Sequence, residues 1–466
     1  MKRTVLLLLM IIALYSAMCQ DISGKWKGVV RVKKTKFNVV FRFVKTPNGY
    51  ITTLDSPDYG AKGYPINSVK VNHGQLEMAM SIIRIEYSGK IQPNAIHGAL
   101  KYNGRHYPMW LTRVTDPVPD TKVKPGKPAY GFYTENVTFL NPKSKILLAG
   151  TLTLPKKTGN YPIVVLISGN GPDDRDAEKF LHRPFQVLAE YLTMNGVGVL
   201  RYDDRGVGQS KGEFRTATTD DFKSDVESAL EYLKKRPEID KKKIALIGHG
   251  EGGLIASMIA SKSSEIKCIA MLGAPGMRGD NLMILQAQSI ATASGAPDED
   301  VMKINKIYTK AFRIISDSTD KRVMKEDVTD FLNMSFKRIP ESNGKPRGMS
   351  FDQYIDTKVD ELTNPWMLSY IKIDPVDYFE TVKCPVLVLH GEKDLEVPTE
   401  SNILSIKNAF NKAQNNEVVI KVLPKLNHLM QECKTGLPSE YPSIPEIIST
   451  SALDEVSDWV NAQMTK

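Results

Sequence analysis

Cysteine is scarce in this sequence, with four residues in 466. Cys19 lies in the leading segment, which leaves Cys268, Cys384 and Cys433. So sparse and odd a set excludes a disulfide framework. Cys268 and Cys384 sit in apolar runs, which suits buried structural thiols. Beyond the leading segment there is no apolar stretch long enough to cross a bilayer as a helix. Long basic runs are missing too. The net charge is +9, but Lys and Arg are scattered and cluster only briefly, as at Lys241, Lys242 and Lys243. With no recognition motif beside the charge, nucleic acid is not an expected partner.

What is present is an ordinary globular composition, 41% hydrophobic and 25% charged. It supports a substantial core, and the length favours two domains. The chain opens Met1, Lys2, Arg3, then runs apolar over 5–14, then turns to small residues ending at Cys19 and Gln20. A charged start, a short apolar run and small residues make a cleavable signal peptide, expected over 1–19, and a secreted or periplasmic protein. Cleavage after Cys19 puts Ala17 and Cys19 at the small-residue positions. The bulky Met18 argues against a lipid anchor on Cys19.

Residues 20–114 alternate apolar and polar in short runs, as at Phe37, Val39, Phe41 and Phe43. This predicts a small antiparallel sheet or partly closed barrel, with Trp26 in its core or lining a pocket. Residues 115–128 carry Pro117, Pro119, Pro125, Gly126 and Pro128 without periodicity, and form a linker. From 129 to 466 strands alternate with helices, which predicts a mostly parallel sheet covered on both faces. The strand signal lapses over about 276–375. This insertion between core strands is expected to be a helical cap, with Met283, Met302, Met334, Met349 and Trp366 as candidate walls of an apolar pocket.

The organising stretch begins at Lys243. An apolar run ends in Gly248, His249, Gly250, Glu251, Gly252 and Gly253, and a small-residue helical pattern follows. Strand, sharp turn and helix are the setting of the G-x-S-x-G nucleophile elbow. Here the central residue is Gly250, not serine. Acyl transfer also needs a base and an acid that orients it, arriving in the order nucleophile, acid, base. Asp394 follows one strand, with Glu392 and Glu396 as alternatives, and His428 follows the next. Backbone N–H groups for an oxyanion would come from Glu251 and from the turn after Ser168, at Asn170 or Gly171. His249 and His390 read as elbow spacer and strand end. The polar loop 201–210 is explained by ion pairing and turns.

Taken together, the elbow, the loop 201–210, the Gly391, Asp394 and Pro398 loop and the Leu426, Asn427, His428 loop resemble the α/β-hydrolases. The resemblance is to bacterial two-domain carboxylesterases of the serine aminopeptidase-like group, which often carry a β-rich N-terminal domain. It implies hydrolysis of small-molecule carboxylic esters through an acyl-enzyme, with no metal or other cofactor. Gly250 departs from that pattern, because it has no hydroxyl to acylate. The expected activity is therefore impaired. A catalytically inactive binding protein on an esterase scaffold is the alternative, and water activated by His428 and Asp394 is a third.

Overall fold

The structure, a computed structural model, describes residues 21–32, 35–46, 49–56, 61–66, 68–80, 85–102, 104–114, 132–169, 171–180, 182–336, 349–444 and 446–466. The expected signal segment, the linker 115–128 and Asn170 lie outside them. The chain forms two compact units. One holds the described residues up to 114 with the short segment Pro442–Ile447, and the other holds Phe132–Tyr441 and Ile448–Lys466.

The first unit is one antiparallel sheet. Its strands are β1 (Gly24–Val32), β2 (Thr35–Thr46), β3 (Gly49–Ser56), β4 (Ala61–Pro65), β5 (Ser68–Asn72), β6 (Gln75–Met80), β7 (Ile85–Ile91), β8 (Ala95–Tyr102) and β9 (Arg105–Arg113). They are ordered β4-β3-β2-β1-β9-β8-β7-β6-β5. At the two ends of this order β5 lies beside β3, which gives the sheet a barrel-like shape. One side chain in two points inward, so Trp26, Val39, Phe41, Phe43, Leu76, Ile96 and Leu111 fill the interior. Trp26 is fully buried and its indole donates to Ile22 O at 2.8 Å. It is a core residue, which corrects the pocket-lining alternative. Ile91 ends β7, and a turn over 92–94 leads into β8.

The second unit is a mixed sheet between helices. Its strands are β10 (Tyr133–Asn141), β11 (Ile146–Leu154), β12 (Tyr161–Ile167), β13 (Gly198–Tyr202), β14 (Ile239–His249), β15 (Ile266–Leu272), β16 (Val386–Gly391) and β17 (Val418–Leu423). The order is β10-β11-β13-β12-β14-β15-β16-β17. β10 and β11 form an antiparallel hairpin, β11 is antiparallel to β13, and the remaining pairs are parallel. Central strands such as β16 are buried along their whole length, as a sheet covered on both faces requires. The reversal of strand order at β12 and β13 places loops over the C-terminal edge of β12 and β14, where α/β sheets receive ligands.

The covering helices are α1 (Pro184–Met194), α2 (Thr219–Lys234) and α3 (Glu251–Ala260), followed after the insertion by α10 (Thr399–Lys412) and α11 (Thr450–Thr465). At the start of α2, Asp221 returns a hydrogen bond to the Thr218 N–H at 3.0 Å, closing a capping box. The insertion between β15 and β16 is helical: α4 (Gly279–Ala293), α5 (Asp298–Asp317), α6 (Lys321–Phe336), α7 (Phe351–Thr363), α8 (Pro365–Tyr370) and α9 (Val376–Phe379). It has its own core, with Phe312, Val328, Leu332, Ile355 and Val359 buried and Met283, Met349 and Trp366 packed against them. Met302 and Met334 are exposed, so they do not wall a pocket. They fall on the solvent sides of α5 and α6, and periodicity alone did not mark which side faced inward.

Candidate active site

The elbow is tight because three backbone segments converge there. A Cβ on Gly248 would lie 2.1 Å from the Gly252 carbonyl carbon, and a Cβ on Gly252 would lie 2.3 Å from Ile167 O. Only glycine permits strand β14, helix α3 and strand β12 to approach so closely. Gly250 joins β14 to α3 with φ 54° and ψ −121°, a conformation that side chains other than glycine adopt only under strain. Its N–H donates to Leu272 O at 2.8 Å, which ties the turn to β15.

Asp394 and His428 come to this turn from the loops after β16 and β17. His428 Nδ1 lies 2.8 Å from Asp394 Oδ2. The other carboxylate oxygen, Oδ1, accepts from the N–H groups of Glu396 at 2.9 Å and Val397 at 2.8 Å. Asp394 is thus buried, oriented and saturated with donors. His428 Nε2 faces the turn, 3.5 Å from the point where a Cβ on Gly250 would sit. Burial opposes a charge on His428, but the carboxylates of Asp394 and Glu396 outweigh it and hold its imidazole up at about 9.

The His428 loop is braced from behind. Asn427 Oδ1 accepts from the Gln431 N–H at 3.0 Å, and Gln431 Nε2 meets His182 Nδ1 at 3.0 Å. His249 Nε2 lies 2.8 Å from His428 O, with the two rings 4.4 Å apart. Burial, with the neighbouring His428, pushes His249 down to about 3, so it stays neutral and donates to that carbonyl. The spacer reading of His249 therefore misses a brace. Only the packing of the two loops reveals it. His390 is the last residue but one of β16, which ends at Gly391, and its Nε2 lies 3.1 Å from Ala274 O.

The turn after β12 passes close to Gly250. Gly169 Cα lies 3.8 Å from a Cβ built on Gly250. Asp204 pins both sides of this turn, accepting from Ser168 Oγ at 2.6 Å and from the Asp173 N–H at 3.0 Å. Gly171 has φ 141° and lies beside Lys179, whose Nζ is 3.7 Å from a Cβ built there and 3.3 Å from Asp173 Oδ1. The loop 201–210 is held by ion pairs: Arg201 with Asp176 at 2.7 Å, Arg175 with Asp203 at 2.6 Å and Arg205 with Asp225 at 2.8 Å. Lys179 carried no motif and was not singled out by sequence.

Glu251 follows Gly250 as the first residue of α3, where backbone N–H groups lack intrahelical acceptors. Its side chain turns away into the interior. Oε1 accepts from Thr219 Oγ1 at 2.6 Å and from the indole Nε1 of Trp366 at 2.9 Å. Burial pushes this carboxyl up to about 7 against those hydrogen bonds. Among the described residues no group of three or more His, Cys, Asp or Glu is placed to hold a metal ion, and no helix is long and apolar enough to cross a membrane.

A model of the family described as "Serine aminopeptidase, S33" matches residues 182–327. That span includes the elbow and part of the cap but neither Asp394 nor His428. Esterase EstD of Thermotoga maritima is 23% identical over 317 residues, which cover 67% of this chain and 65% of that protein. The match therefore spans just under two thirds of its length. Inactive dipeptidyl peptidase 10 of Rattus norvegicus is 31% identical over 125 residues, covering 25% of this chain and 15% of that protein. Among solved structures, the Pyrococcus furiosus esterase Pf2001 is 18% identical, with a TM-score of 0.44, covering 74% of this chain and 96% of that one. The α/β hydrolase GrgF from Penicillium sp. sh18 is 16% identical, with a TM-score of 0.45, covering 72% of this chain and 100% of that one.

Proposed function

We propose that this α/β-hydrolase-like chain, similar to the serine aminopeptidase-like and esterase group, carries a carboxylic-ester site whose nucleophile position is glycine. Acyl transfer through that position is then blocked, and turnover by the chain as it stands is residual. The observation that carries this reading is the Asp394–His428 pair, with Nε2 aimed at Gly250.

The chemistry follows from the geometry. A serine at 250 would start from a Cβ 3.5 Å from His428 Nε2, which puts its hydroxyl within hydrogen-bond reach of the ring. His428 takes the hydroxyl proton as Oγ attacks the ester carbonyl. Asp394 holds the ring in place and stabilises the imidazolium that forms. The Glu251 N–H, with one from the turn at Asn170 or Gly171, meets the oxygen that becomes negative. His428 then gives its proton to the leaving alcohol, and water repeats the cycle on the acyl-enzyme. Without the hydroxyl no acyl-enzyme forms at 250. Removing the serine of such a triad costs roughly a million-fold in turnover, while the oxyanion donors and binding leave some rate over water.

The test is ester cleavage by this chain and by Gly250→Ser, side by side on p-nitrophenyl acetate and butyrate. A gain of several orders of magnitude is expected, and no gain overturns the reading. The glycine itself favours a second reading, a binding protein without turnover, which calls for a ligand and not a rate. The charged and then apolar opening of the sequence supports a place outside the cytoplasm, checked by the mass of the processed chain.

A further inference from the structure

Gly250 does more than remove a hydroxyl. The atoms nearest to a side chain built there are His428 Nε2 at 3.5 Å, His428 Cε1 at 3.7 Å and Gly169 Cα at 3.8 Å. These are ordinary contact distances, so an atom at the Cβ position meets no clash. His428 is more than nine-tenths buried, and its Nδ1 is committed to Asp394. Nε2 has no hydrogen-bond partner among the described residues and faces the N-terminus of α3, a helix of ten residues. The first N–H groups of that helix favour a negative ligand.

We infer, resting on the esterase reading above, that Gly250 turns an acyl-transfer site into a binding site for free monocarboxylates. One carboxylate oxygen accepts from His428 Nε2–H and the other from the Glu251 backbone N–H. The charged groups around the ring fit this role. Asp394 and Glu396 lie on its far side and keep it protonated at neutral pH, so that Nε2 carries a hydrogen. His249, packed against it, is neutral. Lys179, beside Gly171 and ion-paired with Asp173 at 3.3 Å, adds a cation. With a serine at 250, Oγ would fill the space the carboxylate oxygen needs. An amide or ester of the same acid brings no charge and gains less from the imidazolium.

The test is calorimetric titration of the full chain at pH 7 with butyrate and octanoate, each against its own primary amide. A hydrogen bond to a charged group exceeds a neutral one by enough for the acids to bind about ten-fold tighter than the amides. That ratio is read on the unaltered chain and needs no variant. In Gly250→Ser and in His428→Gln, both checked for folding by circular dichroism, the preference should fall to near unity. Equal affinity for acid and amide, or no binding of either acid, overturns the inference. So does a preference that survives in folded His428→Gln. If Gly250→Ser cleaves esters while acids and amides bind this chain alike, the inference falls and the esterase reading stands. If Gly250→Ser cleaves none while the acid preference holds, it is the esterase reading that falls.

Discussion

The carboxylate of Glu251, the residue after Gly250, accepts the indole N–H of Trp366 at 2.9 Å. Trp366 belongs to α8, near the end of the helical insertion, and stacks on Tyr370 with ring centroids 4.6 Å apart. The start of α3 and the returning end of the cap are thereby tied through one buried acid. Among the described residues Glu251 is engaged by Thr219 and Trp366 and by no cation, so burial raises its pKa.

This tie is expected to loosen with pH. A carboxyl whose folded pKa is about 7 against an ordinary 4.5 binds its proton more tightly folded than unfolded. The stability it contributes is complete below about pH 4.5 and is lost as pH rises through about 7. Trp366 fluorescence should shift across that window. The shift should vanish in Glu251→Gln and in Trp366→Phe. A pH profile unchanged by either substitution would count against the coupling.

His428 sets a second, higher window. Its folded pKa is about 9 against an ordinary 6.5, so its contribution is complete below about pH 6.5 and fades as pH climbs through about 9. For catalysis the sign is reversed, because only the neutral ring accepts the hydroxyl proton. In Gly250→Ser, kcat/KM for an ester should rise with pH and level off near 9. A plateau already reached at pH 7 would show that the imidazole is not held protonated.

Asp394→Asn in the Gly250→Ser background should keep the fold, since Asn can still accept from the Glu396 and Val397 N–H groups. It should nevertheless cost roughly 10⁴-fold in turnover, because the ring loses its orienting anion. The kinetic pKa should fall at the same time, and stopped-assay pH profiles would read both effects. A variant as fast as its parent removes Asp394 from the mechanism.

Restoring the nucleophile should carry a stability penalty. A serine at φ 54° and ψ −121° is strained by about 1–3 kcal/mol relative to glycine. Gly250→Ser is therefore expected to gain activity and to melt at a lower temperature than the unaltered chain. Gly248→Ala should be worse still, since its Cβ would sit 2.1 Å from the Gly252 carbonyl carbon and force β14 and α3 apart. Calorimetric melting of the three chains should rank them in that order.

The alternation of Val39, Phe41 and Phe43, the apolar runs of β12, β14 and β16, and the glycines at 248, 250 and 252 are local patterns with fixed periods. They were enough to place a β unit before an α/β sheet and to locate the elbow on it. Motif order likewise pointed to Asp394 and His428, which each follow a strand of the sheet and lie 2.8 Å apart. What a one-dimensional pattern lacks is any record of which loops meet. The donation of His249 to the His428 carbonyl, the grip of Asp204 on both sides of the turn after β12 and the Glu251–Trp366 tie all join residues far apart in the chain. None has a sequence period to betray it. The solvent-facing Met302 and Met334 show the same limit, since a helix's inward side is chosen by its neighbours. That the position after His249 has no hydroxyl is written in the chain. That the gap faces a buried, protonatable imidazole was decided only when β12, β14, β16 and β17 brought their loops to one edge of the sheet.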